Sequence, residues 1–460
     1  MNRFVCAMTL AAAMVLPQWV SASDVLETPS AGPQWDVGGD LRLRWVGQGK
    51  MPTYDKDPQG NGYYHGETKA EDFFRIRTRL WGEVTSEKID AYLRITNEFR
   101  YYRAPHSMKG RQRFPDVTLI DNLYVTFKDV GDLVDIKIGR QDMAFGNRRV
   151  IAEGTPIDGS RTCYFDAVRL TFKFEEKRTL DAFALYIARE DWMPTLGHRH
   201  DPRSANTKSY HEDITAYNQN EYGAGLYYQD RSSAKMGWDL YYIFKGEEGS
   251  KSRILETGPF HSHTVGTRLL PQFTETISGE VELAVQAGDD NLLAAMAYAG
   301  LTYAPKWQYD PTFTIGSLYL SGDRDGQRGH RAWHSLFNRE TALGDLVGAM
   351  YDAMDHCNLF YPHLAFGFKP ANGQIFQLTT GPLFAPVSER DPDGGTYGKY
   401  RGYYAQAYYI VNIGQYVAKG TILEPMQFRI LGEVMTKGDN YYTDQDDIGY
   451  YLEAQVTCAF

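Results

Sequence analysis

After its first 22 residues, the sequence has no run of about 18 consecutive apolar residues, which is the length a helix needs to cross a bilayer. Its mean hydropathy of −0.46 is also low for a protein that crosses a membrane with helices. A transmembrane β-barrel is compatible with both observations, because only every second residue of each strand faces lipid. The absence of apolar runs therefore excludes membrane-spanning helices but leaves a barrel open.

Cysteine is scarce, with four residues in 460. Cys6 lies in the N-terminal apolar segment, and the other three are too few and odd in number to form a disulfide framework. One Cys163–Cys357 bridge between loops is left open. Cys458 is interpreted as a small apolar side chain within a strand.

The chain also lacks the motifs of common enzymes and nucleotide-binding proteins, including a G-x-S-x-G elbow, a P-loop and a Cys/His cluster. His334 and Ser335 form the only neighbouring pair that could suggest a lipid hydrolase, and no third partner is visible. We therefore expect no enzyme activity, no cofactor and no nucleic-acid partner. Loop carboxylates such as Asp289 and Asp439 could bind calcium, although no EF-hand-like loop is present.

The N-terminus has the pattern of a secretory signal. Arg3 precedes an apolar stretch, residues 4–16, and Val20-Ser21-Ala22 forms a small-residue cleavage site. We expect residues 1–22 to be removed and residues 23–460 to form one domain. Only one basic residue is lost, so the mature chain has 47 Lys and Arg against 58 Asp and Glu, a net charge of −11.

The C-terminal segment, residues 450–460, is the clearest strand. Apolar residues from Tyr450 to Phe460 share one parity, while Tyr451, Glu453, Gln455 and Thr457 occupy the other. Alternation over this length predicts a strand with one apolar face and one polar face. The strand is as long as a tilted transmembrane strand requires, about 9–11 residues. A terminal Phe that closes such a strand also resembles the assembly signal of bacterial outer-membrane barrels.

The same alternation recurs along the chain, separated by short turns such as 85–90 and 129–132 and by long polar loops such as 143–163 and 321–360. Aromatic residues make up 14% of the sequence, which is typical of interfacial girdles. We predict an all-β, transmembrane, antiparallel up-and-down barrel in the bacterial outer membrane. At about 24 residues per strand and connection, the length predicts about 18 strands, with 16 as the alternative. Whether the two long loops gate the lumen is left open.

The polar parity of the early strands is rich in arginine. An arginine facing lipid would cost about 2–4 kcal/mol at the bilayer midplane, so these side chains are expected to face the lumen. Acidic residues share this parity, which leaves two interpretations open: ion pairs that stiffen the wall, or weak sites along a path for a polyanion. The candidate conduit residues from parity alone are Arg75, Arg77, Arg79 and Arg94.

One segment, residues 136–174, has more specific motifs. It contains Gly139-Arg140-Gln141, then Phe145-Gly146-x-Arg148, and then Arg161 followed by Asp166-x-x-Arg169. A later stretch, residues 319–325, reads YLSGDRD and contains Asp323 and Arg324. These runs resemble those of the alginate-export family of outer-membrane porins. The specific motifs cover about 60 residues, while the likeness in length and strand rhythm extends over most of the chain.

The resemblance implies a monomeric 18-stranded barrel whose arginine-lined constriction exports an anionic exopolysaccharide, such as alginate or a related uronate polymer. It also implies roles in the conduit for Arg140, Arg148, Arg161, Asp166, Arg169, Asp323 and Arg324. The alternative is an uptake porin for sugars, oligosaccharides or small anions. Expected partners are outer-membrane lipid, lipopolysaccharide, the barrel assembly machinery and a periplasmic export scaffold.

The last third of the chain contains few basic residues. This distribution predicts either a narrow basic strip in the lumen or a substrate other than alginate.

Overall fold

The computed structural model describes residues 32–50, 52–56, 63–67, 70–104, 117–153, 164–175, 177–188, 192–194, 219–249, 258–323, 331–338, 357–388, 398–439 and 448–460. The expected signal peptide, residues 1–22, lies outside the described residues and stays a prediction. The same holds for Cys163, and therefore for its bridge to Cys357.

The described chain is almost entirely β-strand. In chain order the strands are β1 Gln34–Gly49, β2 Pro52–Lys56, β3 Tyr63–Glu67, β4 Glu71–Thr85, β5 Ile89–Ala104, β6 Val117–Val130, β7 Val134–Gln141, β8 Met143–Ala144, β9 Ile151–Glu153, β10 Phe165–Glu175, β11 Arg178–Ile187, β12 Glu221–Asp230, β13 Met236–Glu247, β14 Phe260–Pro271, β15 Ile277–Gly288, β16 Leu292–Tyr303, β17 Thr312–Leu320, β18 Phe337–Asn338, β19 Leu359–Phe368, β20 Gln374–Phe384, β21 Tyr400–Val411, β22 Gln427–Met435 and β23 Gly449–Ala459.

Eighteen of these strands form one closed antiparallel barrel, which contains every strand except β2, β3, β8, β9 and β18. Each barrel strand pairs with the barrel strands before and after it, and β1 pairs with both β4 and β23. Closure satisfies the backbone groups that an open sheet would leave unpaired in lipid. The predicted up-and-down barrel is confirmed, with 18 strands rather than 16.

The seam of the barrel is closed by its terminal residue. The backbone N–H of Gly39 donates to the carbonyl of Phe460 at 2.8 Å, and the N–H of Phe460 donates to the carbonyl of Gly39 at 2.9 Å. A Cβ added at Gly39 would lie 2.9 Å from the Phe460 ring, so the aromatic ring needs glycine at this position. The predicted terminal strand therefore lies at the junction between the first and last strands.

Among the residues that the structure describes, helical structure is limited to one turn of helix α1, Gly414–Val417, and the 3-10 turn Asp289–Asn291. No helix in the described part of the chain is long and apolar enough to cross a membrane. The connections follow the predicted rhythm, since β4 ends at Thr85 before β5 starts at Ile89, and β6 ends at Val130 before β7 starts at Val134. Short turns of this kind mark the periplasmic end of a barrel.

The outer face of the barrel is apolar, as the alternation predicts. Ile315 on β17 is 60% exposed and Leu283 on β15 is 50% exposed, while the neighbouring residues of opposite parity point inward. Aromatic rings gather at the periplasmic end, where Phe313 contacts Trp307, and its ring centroid lies 5.1 Å from that of Phe366. This arrangement fits a lipid-facing band with an interfacial girdle.

Adjacent positions on β17 test the assignment of the two faces. Ile315→Arg places a charge on the lipid side and is expected to lower the free energy of unfolding by about 2–4 kcal/mol. Thr314→Arg places the same side chain on the lumenal side, where water is available, and is expected to cost much less. Urea unfolding of the protein in phospholipid vesicles measures both values. Equal costs for the two variants would contradict the assignment.

Candidate functional site

The lumen has a basic strip along one side, on strands β22, β23, β1, β4 and β5. We call it the arginine wall. It consists of Arg42, Arg44, Arg75, Arg77, Arg79 and Arg429, together with the carboxylates Asp40, Glu98 and Glu453. The strand register sets these groups side by side, since Arg42 lies opposite Arg77 and Arg44 lies opposite Arg75.

Each carboxylate of the wall serves two arginines. Glu98 accepts from Arg42 at 2.9 Å and from Arg75 at 3.1 Å. Asp40 accepts from Arg77 at 3.1 Å and from Arg79 at 2.5 Å. Such pairs hold like charges close together, because every carboxylate offsets the repulsion between its two arginines.

The wall keeps an excess of positive charge. Glu453 lies within 3.4 Å of Arg44 and 3.6 Å of Arg429. Counted over this stretch, from Asp40 to Arg44 on β1 and the strands beside it, six arginines stand against four carboxylates when Glu433 is included. Toward the periplasm, Asp36 and Glu83 face each other on the same lumenal parity, so the positive excess is confined to this stretch. Most of these arginines are buried, while the side chains of Arg79 and Arg429 are 14% and 22% exposed. These two arginines therefore present the charge of the wall to the lumen.

Arg94 continues the basic strip on β5, beside the arginine wall. Its Nε lies 2.9 Å from both oxygens of Asp121, and its Nη2 donates to Asp142 at 3.0 Å. Thr96 also donates to Asp121, at 2.8 Å. Thus all four arginines predicted from parity lie on the lumenal side in ion pairs. Only the partners of Arg94, Asp121 and Asp142, are absent from the acids that the lumenal parity singles out in the sequence.

The residues carried over from the family-like run divide between the two faces of the barrel. Arg169 faces the lumen, where it donates to Asp181 at 2.7 Å. Arg140 and Asp166 pair in register with each other and share the outward parity of the exposed Leu123 and Tyr186.

The Arg140–Asp166 pair forms a clasp at the extracellular end of β7 and β10. The Arg140 Nε donates to Asp166 at 2.9 Å, and its guanidinium lies 3.6 Å from the centre of the Tyr164 ring. Trp192 also donates to Asp166, at 2.6 Å. Alternation places Arg140 on the same outward face as the exposed Ile138, and the register runs unbroken through Gly139. The contacts with Tyr164 and Trp192 could not be predicted, because they depend on how the loops fold.

Two of the remaining predicted residues, Arg148 and Asp323, lie in loops. Arg148 has a positive φ of 63° and closes a turn in which its N–H donates to the carbonyl of Phe145 at 2.9 Å. Asp323 accepts from the backbone N–H of Arg331 at 3.3 Å. Arg161 and Arg324 lie outside the described residues, so their expected roles stay predictions.

Two loop segments fold into the lumen, residues 142–153 and 331–338, and we call them the inner segments. Their strands β8, β9 and β18 form a small sheet of their own. Phe145 stacks on Phe183 and Tyr227 of the barrel wall, and Phe337 packs edge-on against Phe165. Parts of both predicted long loops therefore narrow the lumen, on the side that carries β10 to β15.

Polar contacts fasten the inner segments to the wall. Arg149 donates to Glu280 and Glu282, both at 2.7 Å. Burial lowers the pKa of Arg149, but the two carboxylates outweigh burial and hold its pKa above the ordinary value. The Lys245 ammonium binds the carbonyls of residues 335 and 336, and Gln286 exchanges two hydrogen bonds with the backbone of His334.

The strands β16, β17, β19 and β20 contain no Asp, Glu, Lys or Arg, whereas β21 carries the buried Arg401 near its extracellular end. Tyr408 donates to Gln377 at 2.6 Å, and Thr302 bonds Thr314 at 2.8 Å. Tyr298 carries the Arg149 guanidinium on its ring at 3.6 Å. The lumen therefore has a basic side and, on β16 to β20, an opposite side of hydroxyl, amide and phenol groups. This arrangement corresponds to the narrow basic strip, one of the two expectations drawn from the composition of the last third, and the identity of the cargo stays a prediction.

Among the residues that the structure describes, no group of three or more His, Cys, Asp and Glu side chains could hold a metal ion. Calcium at the loops stays a prediction, because several loops lie outside the described residues. His334 contacts Glu247 at 3.1 Å and lies in an inner segment, where it packs beside Phe260.

The contacts of Arg149 predict its effect on conductance. Arg149→Met removes the ion pairs that fasten residues 142–153. The two carboxylates are not left without a partner, because Glu280 still accepts from Arg268 and Glu282 still accepts from the Tyr241 hydroxyl. We expect a higher and noisier single-channel conductance in planar bilayers, because the inner segment can leave the lumen. Lys306→Gln, which breaks an exposed pair with Glu275 in a turn, should leave conductance unchanged. Unchanged conductance in Arg149→Met would show that the segment does not narrow the pore.

The alginate export family model matches residues 63–378, which is more than half of the chain. The solved structures with the same fold include OpdK of Pseudomonas aeruginosa with vanillate, at 12% identity and a TM-score of 0.52, covering 92% of this chain and 98% of that one. OccK11 (OpdR) of the same organism has 9% identity and a TM-score of 0.51, covering 93% and 96%. At these identities the likeness concerns the fold alone. No curated protein matches the chain.

Proposed function

Because this chain belongs to the alginate export family and forms an outer-membrane channel, we propose that it exports an anionic exopolysaccharide, alginate or a related uronate polymer. The polymer would pass along the arginine wall without covalent chemistry. The observation that carries the proposal is the excess of positive charge on that wall, six arginines against four acids.

The charge distribution of the wall suits passage better than capture. The arginines are held by carboxylates, so a uronate that binds competes with an acid already in place. Each site is therefore weak, and a chain of weak sites lets a polymer leave as readily as it enters. The excess charge still attracts anions, because a low-dielectric barrel focuses the field of its buried charges into the lumen.

The side of the lumen opposite the arginine wall, which is rich in hydroxyl, amide and phenol groups, provides a second argument for a sugar polymer. A uronate chain carries several hydroxyl groups for every carboxylate. Side chains such as Gln377, Gln406 and Tyr408 can exchange hydrogen bonds with hydroxyls while arginines face the carboxylates. A pore for small inorganic anions would have no need of such a wall.

Uptake of sugars or small anions is the competing function, and the fold is shared with a porin solved with vanillate. Deletion of the protein in its host distinguishes the two. Export predicts that uronate polymer accumulates in the periplasm and disappears from the medium. Uptake predicts normal polymer outside the cell and slower growth on a small carboxylate or oligosaccharide.

Neutralising the exposed arginines tests the electrostatic basis of the proposal. Arg79→Gln with Arg429→Gln is expected to lower the chloride-to-potassium permeability ratio by about sevenfold per charge. A unit charge about 7 Å from an ion in water favours chloride by about 0.6 kcal/mol and disfavours potassium by about the same amount. Reversal potentials in a KCl gradient across planar bilayers give the ratio.

A matched control neutralises two lysines that lie far from the arginine wall. Lys306 and Lys369 lie in connections at the periplasmic end and pair with Glu275 and Asp310. Their double change to Gln should alter the permeability ratio little. Cation selectivity of the unaltered channel, or indifference to the loss of Arg79 and Arg429, would refute the proposed function.

A further inference from the structure

Three aromatic side chains stack in a row on the lumenal side of β4, β5 and β6. The ring centroids of Trp81 and Tyr92 are 6.2 Å apart with planes 17° from parallel, and those of Tyr92 and Tyr124 are 5.2 Å apart at 18°. We call Trp81, Tyr92 and Tyr124 the aromatic row. All three rings are partly exposed and point into the lumen. The neighbouring residues in sequence, Leu80, Leu93 and Leu123, are exposed on the opposite, lipid-facing side.

Lys137 on β7 lies at the end of the aromatic row. Its ammonium is 4.1 Å from the centroid of the Tyr124 ring, a cation–π contact. Gly139 stands directly opposite Tyr124, so Lys137, two residues away on β7, reaches that ring with no side chain at the opposite position in between.

Lys137 also differs from the arginines of the lumen in its partners. Arg42, Arg79, Arg94 and Arg169 each hold a carboxylate within 3.0 Å. Lys137 has no carboxylate within 4.0 Å among the residues that the structure describes. The carboxylates of Asp142, Glu83 and Asp90 act on its charge only from beyond ion-pair distance.

The row continues the arginine wall toward the periplasm. Trp81 lies two residues after Arg79 on β4, in the direction of the turn at Thr85, and Lys137 lies opposite Arg169 in register. A molecule that comes from the periplasm would therefore meet the aromatic row before the arginine wall. Glu83, opposite Tyr92, adds a nearby acid that would keep binding weak.

We propose that the aromatic row and Lys137 form a subsite for one hexuronate residue of the polymer, a proposal that rests on the proposed function. The C–H face of the sugar packs on aromatic surface, where burial removes apolar area from water. The sugar carboxylate pairs with the Lys137 ammonium. A simple anion would not need the aromatic row, and a neutral sugar would not need a cation without a carboxylate.

The test is the residence time of oligouronates in single reconstituted channels, with oligomers added on the periplasmic side. Tyr124→Leu is expected to shorten the blocked time about three- to tenfold. Lys137→Met is expected to shorten it about threefold. Tyr124→Phe keeps the ring and should retain the blocked time. Heat-modifiable migration on gels confirms that each variant folds as a barrel.

The controls separate the subsite from the proposed function. Lys173→Gln removes a cation at the periplasmic end that Asp129 and Asp135 already hold, and it should change the blocked time little. Tyr303→Leu removes a ring of the outer girdle and should have no effect. Blocking by oligouronates that is unchanged in Tyr124→Leu and Lys137→Met would overturn the subsite and leave the export function standing.

Two other outcomes would contradict the choice of ligand. Neutral malto-oligosaccharides that block as long as oligouronates, with dependence on Tyr124 and none on Lys137, would assign the row to neutral sugars. The absence of any block by oligouronates in the unaltered channel would refute the proposed function itself.

Discussion

The structure depends on one constraint: in a bilayer, every backbone N–H and C=O of a spanning strand must find a partner within the protein. The circle of 18 strands meets that requirement only because β1 bonds both β4 and β23. Once the barrel is closed, alternate residues of every strand face the same two environments, lipid outside and lumen inside. Apolar side chains face lipid, and the polar residues that remain must share the lumen, where they are close enough to interact.

The lumen has an arginine-rich side and an opposite side of hydroxyl and amide groups, and the crowding of charges determines how the arginine-rich side is built. Arginines of neighbouring strands stand directly opposite one another, as Arg42 and Arg77 do, and like charges in register repel. Carboxylates such as Asp40 and Glu98 make this arrangement stable by bridging two arginines each. On the opposite side, β16 to β21 provide hydroxyl and amide groups instead. The inner segments then use the acids of β15 for their own attachment, through Arg149.

Much of this could be predicted from sequence, and the limits have physical causes. The alternation of period two predicted the strands, the faces and the lumenal position of Arg75, Arg77, Arg79 and Arg94, because the pleat dictates it. The same signal was present around Arg268, which went unrecognised. Arg149 could not be found in this way, since its contacts depend on how a loop folds. Counting by two does give the outward face of Arg140, but its burial by Tyr164 and Trp192 also depends on loop folding.

The one-sided distribution of charge affects how a cargo can move. A ring of arginines would attract a polyanion equally from every direction, and the cargo could slide through in any orientation. A strip on β22 to β5 attracts only the edge that carries the carboxylates, while the neutral side favours the hydroxyl-bearing edge. For the uronate polymer proposed as cargo, passage through such a lumen would couple translation to rotation, and the helical twist of the polymer would become a property that the pore distinguishes.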